Sequence, residues 1–122
     1  MKFNQELCPG ANIIHAYDEH EININGRLYT SSLVVSHQQI TSTWPVHDIN
    51  QLNTDALDFL LQENPEVIII GTGTKLIFPK AEMYAYLINQ NIGVEFMDTG
   101  AACRTYNVLL SEDRRVVAGL IL

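Results

Sequence analysis

Lysine and arginine are scarce in this sequence. Seven stand in 122 residues against fourteen aspartates and glutamates, giving a net charge of −7 with histidine neutral. A chain of this charge repels polyanions unless its few cations cluster. They do not cluster: the densest pair, Arg114-Arg115, directly follows Glu112-Asp113. Nucleic acid is therefore excluded as a partner. Cysteine is nearly absent, and Cys8 and Cys103 are too far apart in sequence to suggest a disulfide framework, so free thiols in a reducing cytoplasm are expected. Long hydrophobic runs are also missing. The longest, Val67 to Ile70 and Val116 to Leu122, fall far short of the roughly 20 residues a membrane helix needs. Met1 to Cys8 carries one lysine but no apolar stretch, so it does not read as a secretory signal, and polar Gln5 and Glu6 precede Cys8 where lipoprotein processing needs small residues.

What the chain does have is apolar content. Hydrophobic residues make up 47% of it, and charged residues only 17%. At this size roughly two-thirds of the extended-chain surface is buried on folding, enough for one core and no second domain. A single α/β domain over residues 1–122 is expected.

The first 48 residues carry strand signals. Ile13, Ile14, Ala16 and Tyr17 form an apolar run, and Asp18-Glu19-His20 supply a polar turn. Ile22 and Ile24 alternate with Asn23 and Asn25, the period of two of a half-buried strand. Asn25-Gly26 is a strong hairpin turn, which predicts a partner strand over Leu28 to Ser36. Another strand is expected from Ile40 to Trp44, stopped by Pro45.

Past Trp44 the period changes. Leu57, Leu60 and Leu61 keep helical spacing behind a cap at Asn53 or Thr54, and Asn64-Pro65 ends that helix. The β-branched run Val67 to Ile70 predicts a strand buried on both faces. A helix from Lys80 to Asn91 follows, with Pro79 at its first turn and Ala81, Tyr84, Ala85 and Ile88 as its apolar stripe. Val94 to Met97 predicts a strand, Gly100 to Ser111 a helix and Val116 to Leu122 a last strand. The C-terminal half is thus β-α-β-α-β, whose right-handed crossovers imply parallel strands beside the N-terminal hairpins in a mixed sheet.

Ligands of open α/β sheets sit outside the carboxyl ends of the strands. Two loops leave such ends: Gly71-Thr72-Gly73-Thr74-Lys75, and Asp98-Thr99-Gly100-Ala101-Ala102 opening a helix. The first is no dinucleotide fingerprint, because the third glycine would fall on Leu76. It lacks the phosphate-loop pattern for the same reason. Consecutive parallel strands end at one sheet edge, so the two loops are expected to form one polar crevice. Gly71, Thr72, Gly73, Thr74, Lys75, Thr99, Gly100, Cys103, Arg104 and Thr105 would line it, with Lys75 and Arg104 as its cations. Such a site suits a carboxylate or phosphate, either as a small anion or as an acidic side chain of a partner. The plainer reading is that the threonines cap the turns and both cations are solvated.

Cys103 reads in two ways. A helix N-terminus beside Arg104 could depress its pKa and make it a nucleophile, whereas a lone free cysteine is ordinarily a small buried hydrophobe. No histidine lies near it in sequence to serve as a base, so burial is the expectation. On the last helix, Arg104, Asn107 and Ser111 fall on one polar stripe opposite Ala101, Ala102, Thr105, Val108 and Leu109. His15, His20, His37 and His47 lack metal-ligand spacing. Trp44 reads as core. No catalytic set, metal site or cofactor motif is expected.

These residues together resemble a known family. The order runs Asn25-Gly26, Ser32-Leu33-Val34-Val35, Trp44, Gly71-Thr72-Gly73, Pro79 and Gly93-Val94-Glu95. Its most specific piece is Met97-x-Thr99-x-x-Ala102-Cys103-x-Thr105-Tyr106-Asn107, followed by Leu109, Glu112 and Arg114. The pattern is similar to a family of small, largely uncharacterised bacterial and archaeal proteins that includes mitochondrial complex I assembly factor three. The resemblance implies a compact β/β/α domain with the glycine loop and the Thr99 segment side by side. It also implies a non-catalytic binding or assembly module acting through protein partners; the alternative is an enzyme acting on a small anionic molecule, using Cys103 in the crevice. One departure is the Asp18-Glu19-His20 turn, where such proteins often carry glycine. Whether the chain pairs with a second copy as a homodimer is left open by the sequence.

Overall fold

Asn25 and Gly26 both take positive φ, 53° and 90°, the backbone a two-residue hairpin needs to match strand twist. They join two short strands of an antiparallel sheet of three: β1 (Ile14–Tyr17), β2 (Ile22–Ile24) and β3 (Arg27–Tyr29). At the β1–β2 turn the Asp18 carboxylate accepts from the amides of His20 and Glu21, at 2.7 and 2.9 Å. That side chain closes the turn in place of a glycine. The computed structural model describes residues 10–122; Cys8 and the N-terminal segment discussed above lie outside the described residues.

The expected strand from Leu28 to Ser36 is two strands in two sheets. After β3 the chain breaks at Thr30 to Ser32 and re-enters as β4 (Leu33–Ser36), followed by the two-residue β5 (Ile40–Thr41). Every β4 residue is buried, so it belongs inside the larger sheet and not in an exposed hairpin. Trp44 ends no strand. It is 2% exposed and lies across Gly119 so closely that a Cβ there would come within 2.7 Å of its ring.

Helix α1 (Thr54–Leu61) starts where Asn53 accepts from the Ala56 amide at 2.8 Å, the expected cap. The remainder alternates as predicted: β6 (Val67–Gly71), α2 (Ala81–Ile88), β7 (Gly93–Met97), α3 (Thr99–Ser111) and β8 (Val116–Leu120). In the large sheet the strand order is β5-β4-β8-β6-β7, with β6 parallel to both β7 and β8 and β4 antiparallel to β8. The chain moves outward from β6 to β7, then back across β6 to β8. Right-handed crossovers in opposite directions put α2 and α3 on opposite faces of the sheet.

Each face has its own core. On one, α3 and the three-stranded sheet pack through Ile22, Ile24, Ala102, Cys103 and Tyr106 against Ile69 and Ala118. On the other, α1 and α2 cover Ile68, Ile70, Val117 and Trp44. Alternating residues of β6 thus serve opposite cores, which is why its apolar run has no polar interruption.

The two crossover helices depart from their expected faces. On α3 the buried stripe is Ala102, Cys103, Tyr106 and Leu110, and Val108 is exposed. On α2 only Leu87 is buried, while the predicted apolar stripe of Ala81, Tyr84, Ala85 and Ile88 faces solvent. Pro79 stands just outside α2, whose cap is Lys80.

A closed strand end and a cavity beside Cys103

The carboxyl end of β6 is where strand order reverses, the usual place for a ligand in such sheets. Here a side chain fills it. Thr99, fully buried, accepts from the Gly73 amide at 2.8 Å and donates to the Ile121 carbonyl at 2.7 Å. The Thr99 amide donates in turn to the Gly73 carbonyl at 2.8 Å, and the Thr72 amide to the Met97 carbonyl at 2.8 Å. The glycine loop and the start of α3 are therefore side by side, as the topology predicts. They are also locked together. A Cβ on Gly71 would meet the Thr99 Cα at 2.8 Å, so glycine is needed for close approach. Gly73 is the residue at positive φ, 108°.

Thr72 is turned to a local task. Its hydroxyl donates to the Lys75 carbonyl at 2.6 Å and accepts from the Ile77 amide at 3.1 Å. The N-terminus of α3 is occupied as well: the Asp98 carboxylate caps it, accepting from the Ala101 amide at 2.9 Å. An anion approaching those amides would meet a carboxylate already there. Of the ten crevice residues, Gly71, Thr72, Thr99, Gly100 and Cys103 are buried, and Thr74, Lys75 and Arg104 are exposed. Gly73 and Thr105 are half-buried.

Gly100, Cys103 and Arg104 line a different space. With His15, Tyr17 and Asn107 they bound a cavity of about 150 Å³ between α3 and β1. Burial pushes the Cys103 thiol up to about 12; Arg104 pulls it down too weakly to compensate, and Asp98 adds to the rise. Burial, then Cys103 and Asp98, also raise the Tyr17 phenol. Near neutral pH Cys103 is a protonated thiol packed in the core, which bears out the plainer of its two readings.

Pattern reasoning missed two residues that matter here. Asn107, assigned to a polar stripe, accepts from the Ile14 amide at 3.1 Å and donates to the Ile14 carbonyl at 2.7 Å. It pairs with β1 as a neighbouring strand would. Tyr106 donates its hydroxyl to the Asn12 carbonyl at 2.8 Å. A polar residue one position after a buried tyrosine on a helix was the available signal; its partner, more than 90 residues earlier, was not.

Fold and corner together define a class: a small three-layer α/β domain whose central strand ends against the start of its own helix. The chain belongs to the family described as protein of unknown function (DUF498/DUF598), which matches residues 14–121. Among its relatives, a 13 kDa major membrane protein of Francisella tularensis is 36% identical over 95% of each chain. The zebrafish NADH dehydrogenase [ubiquinone] 1 alpha subcomplex assembly factor 3 is 32% identical over 96% of this chain and 68% of its own length. A Bordetella parapertussis crystal structure superposes with a TM-score of 0.86 at 32% identity, covering 92% of this chain and 96% of that one. A Bordetella pertussis solution structure, described as a Mth938-like domain, gives 0.81 at 27% identity over 99% and 92% of the two chains. The fold is thus Mth938-like. No described helix is long and apolar enough to cross a membrane.

Proposed function

We propose that this chain is a non-catalytic binding module that assists assembly of a larger protein complex through contacts with protein partners in the cytoplasm. The observation that carries the reading is the similarity to assembly factor 3 along nearly the whole chain. The chemistry of the interior supports it, because the thiol that an enzyme would use is buried and stays protonated. Of the crevice residues, those a partner can touch are Thr74, Lys75 and Arg104, with Thr105 at their margin. Their cations suit carboxylates of a partner; the Asp98 cap makes a free anion a poorer match.

The test is deletion in the native cell combined with mild crosslinking of a tagged copy. The reading expects a reproducible complex on the tagged chain and, in the deletion strain, accumulated subassemblies of that same complex. Recovery of the chain alone, with every complex assembled normally in the deletion strain, overturns it.

A further inference from the structure

Eight large hydrophobic side chains are notably exposed among the described residues, and five of them fall between positions 76 and 88. Leu76 and Ile77 are each 48% exposed, Phe78 71%, Tyr84 44% and Ile88 46%. Three are consecutive in the irregular segment between β6 and α2. Ile88 lies on the outward stripe of α2 with Ala81 and Ala85, roughly opposite Leu87 and Met83, which point to the core; Tyr84 borders that stripe, its ring 5.9 Å from Phe96 on one side and in solvent on the other. Isolated exposed apolar residues are ordinary, but a contiguous group marks a surface that meets something apolar.

The charge around this group is the reverse of the chain's. Two of only three lysines, Lys75 and Lys80, bracket Leu76-Ile77-Phe78, and no aspartate or glutamate occurs from Val67 through Ala81. Both lysines are exposed, and the ion pairs among described residues, His20 with Glu19 and Arg114 with Glu66, involve neither. The acid on α2, Glu82, sits about 100° around the helix from Ala81 and about 60° from Ala85, at the border of the apolar stripe. In a molecule of net charge −7 this loop, with two lysines and no acid, is the segment suited to face an anionic surface, while Glu82 and the Asp58 bound to Tyr86 stand farther along α2.

Geometry adds rigidity. The Thr72 hydroxyl ties the Lys75 carbonyl and the Ile77 amide to the end of β6, so the apolar side chains are displayed from a fixed base. Between the lysines the loop offers no side-chain hydrogen-bonding group, and on the helix stripe only the Tyr84 hydroxyl is available. A protein interface of this extent would carry about one hydrogen bond per 100–200 Å². The apolar boundary of a bilayer requires none, while its anionic headgroups suit lysines whose stems lie along apolar surface.

We propose that the Lys75–Lys80 loop and the outward face of α2 form a docking surface for an anionic lipid membrane, with Phe78, Leu76 and Ile77 entering the interface and Lys75 and Lys80 at headgroup level. The proposal goes beyond the assembly reading and does not depend on it. Co-sedimentation of the full chain with vesicles tests it, comparing pure phosphatidylcholine with a mixture holding about one-third phosphatidylglycerol. Binding is expected to the mixture alone, with a partition coefficient on the order of 10⁴ M⁻¹. It should fall about tenfold or more in Lys75→Glu with Lys80→Glu, and similarly in Leu76→Ser with Phe78→Ser. Melting should be unchanged in all of these, since the side chains are exposed. In Phe78→Trp, emission should shift to the blue on adding the mixed vesicles, whereas the buried Trp44 in the wild type should not respond. No sedimentation with the mixture, equal binding to phosphatidylcholine alone, or undiminished binding by the serine variant overturns the proposal. If the wild type ignores vesicles yet the serine variant loses a protein complex, the surface is a protein interface and the proposal fails.

Discussion

Helices α2 and α3 are both crossover connections on the same sheet, and both read as amphipathic, yet they end in opposite circumstances. Helix α3 is covered on two sides: its buried stripe meets β6 and β8, and Asn107 and Tyr106 reach the three-stranded sheet. Helix α2 is anchored by Leu87, with half-buried Met83 and Tyr86 beside it and the Tyr84 ring 5.9 Å from Phe96, and it leaves Ala81, Ala85 and Ile88 in solvent. A helix can thus carry enough apolar surface for two neighbours and be given only one. The leftover surface is where an external partner has to be sought. At α3, by contrast, the same kind of surface has become interior.

The contrast can be broken most forcefully at the start of α3. Gly71→Val would place a methyl-bearing carbon where Thr99 already stands, and we expect a loss of about 4 kcal/mol or more, or failure to fold, in denaturant titration. Gly73→Val meets nothing within 4 Å and carries only the strain of its positive φ, about 1–2 kcal/mol. Equal effects at the two glycines would refute the sealed corner. Next comes Leu87→Ala, which removes the one fully buried anchor of α2 and should cost about 2–5 kcal/mol. Asn107→Ala leaves the Ile14 amide and carbonyl without their partner; about 1–3 kcal/mol should be lost, with faster hydrogen exchange confined to β1 and β2.

Alkaline pH sharpens the comparison on the α3 side. In the unfolded chain the Cys103 thiol ionises near 9.0, and in the folded chain only near about 12. Its contribution is therefore complete below pH 9 and is lost as pH rises through that window, because unfolding there releases a proton. Stability measured across this range should fall more steeply for the wild type than for Cys103→Ala, and iodoacetamide should label the native thiol slowly at neutral pH. Rapid labelling of the folded protein would restore the nucleophile. The smallest effect is expected on the outward face of α2: Ile88→Ser should change stability by no more than about 0.5 kcal/mol. A larger loss would mean that this face is packed against the molecule itself.

Local chemistry determined much of this protein from its sequence. Asn25-Gly26 fixed a hairpin because few residues tolerate positive φ in succession, Asn53 fixed a helix start, and the β-branched Val67 to Ile70 fixed a strand buried on both sides. The β-α-β-α-β order, with right-handed crossovers, was enough to bring Gly73 and Thr99 to one edge. Tertiary structure alone decided which groups would be left exposed. Periodicity defines a helical stripe but not what covers it, so Ala81, Tyr84, Ala85 and Ile88 looked like core and are surface, while Asn107 looked like surface and clasps β1. Leu28 to Ser36 is one continuous strand to a pattern and two strands in two sheets to the fold, because hydrogen-bond partners, not alternation, assign a strand to its sheet. The start of α3 joined the glycine loop for the same reason: a threonine and two backbone groups, distant in sequence, satisfied one another when the strands met, leaving Thr74, Lys75 and Arg104 as the exposed polar residues there.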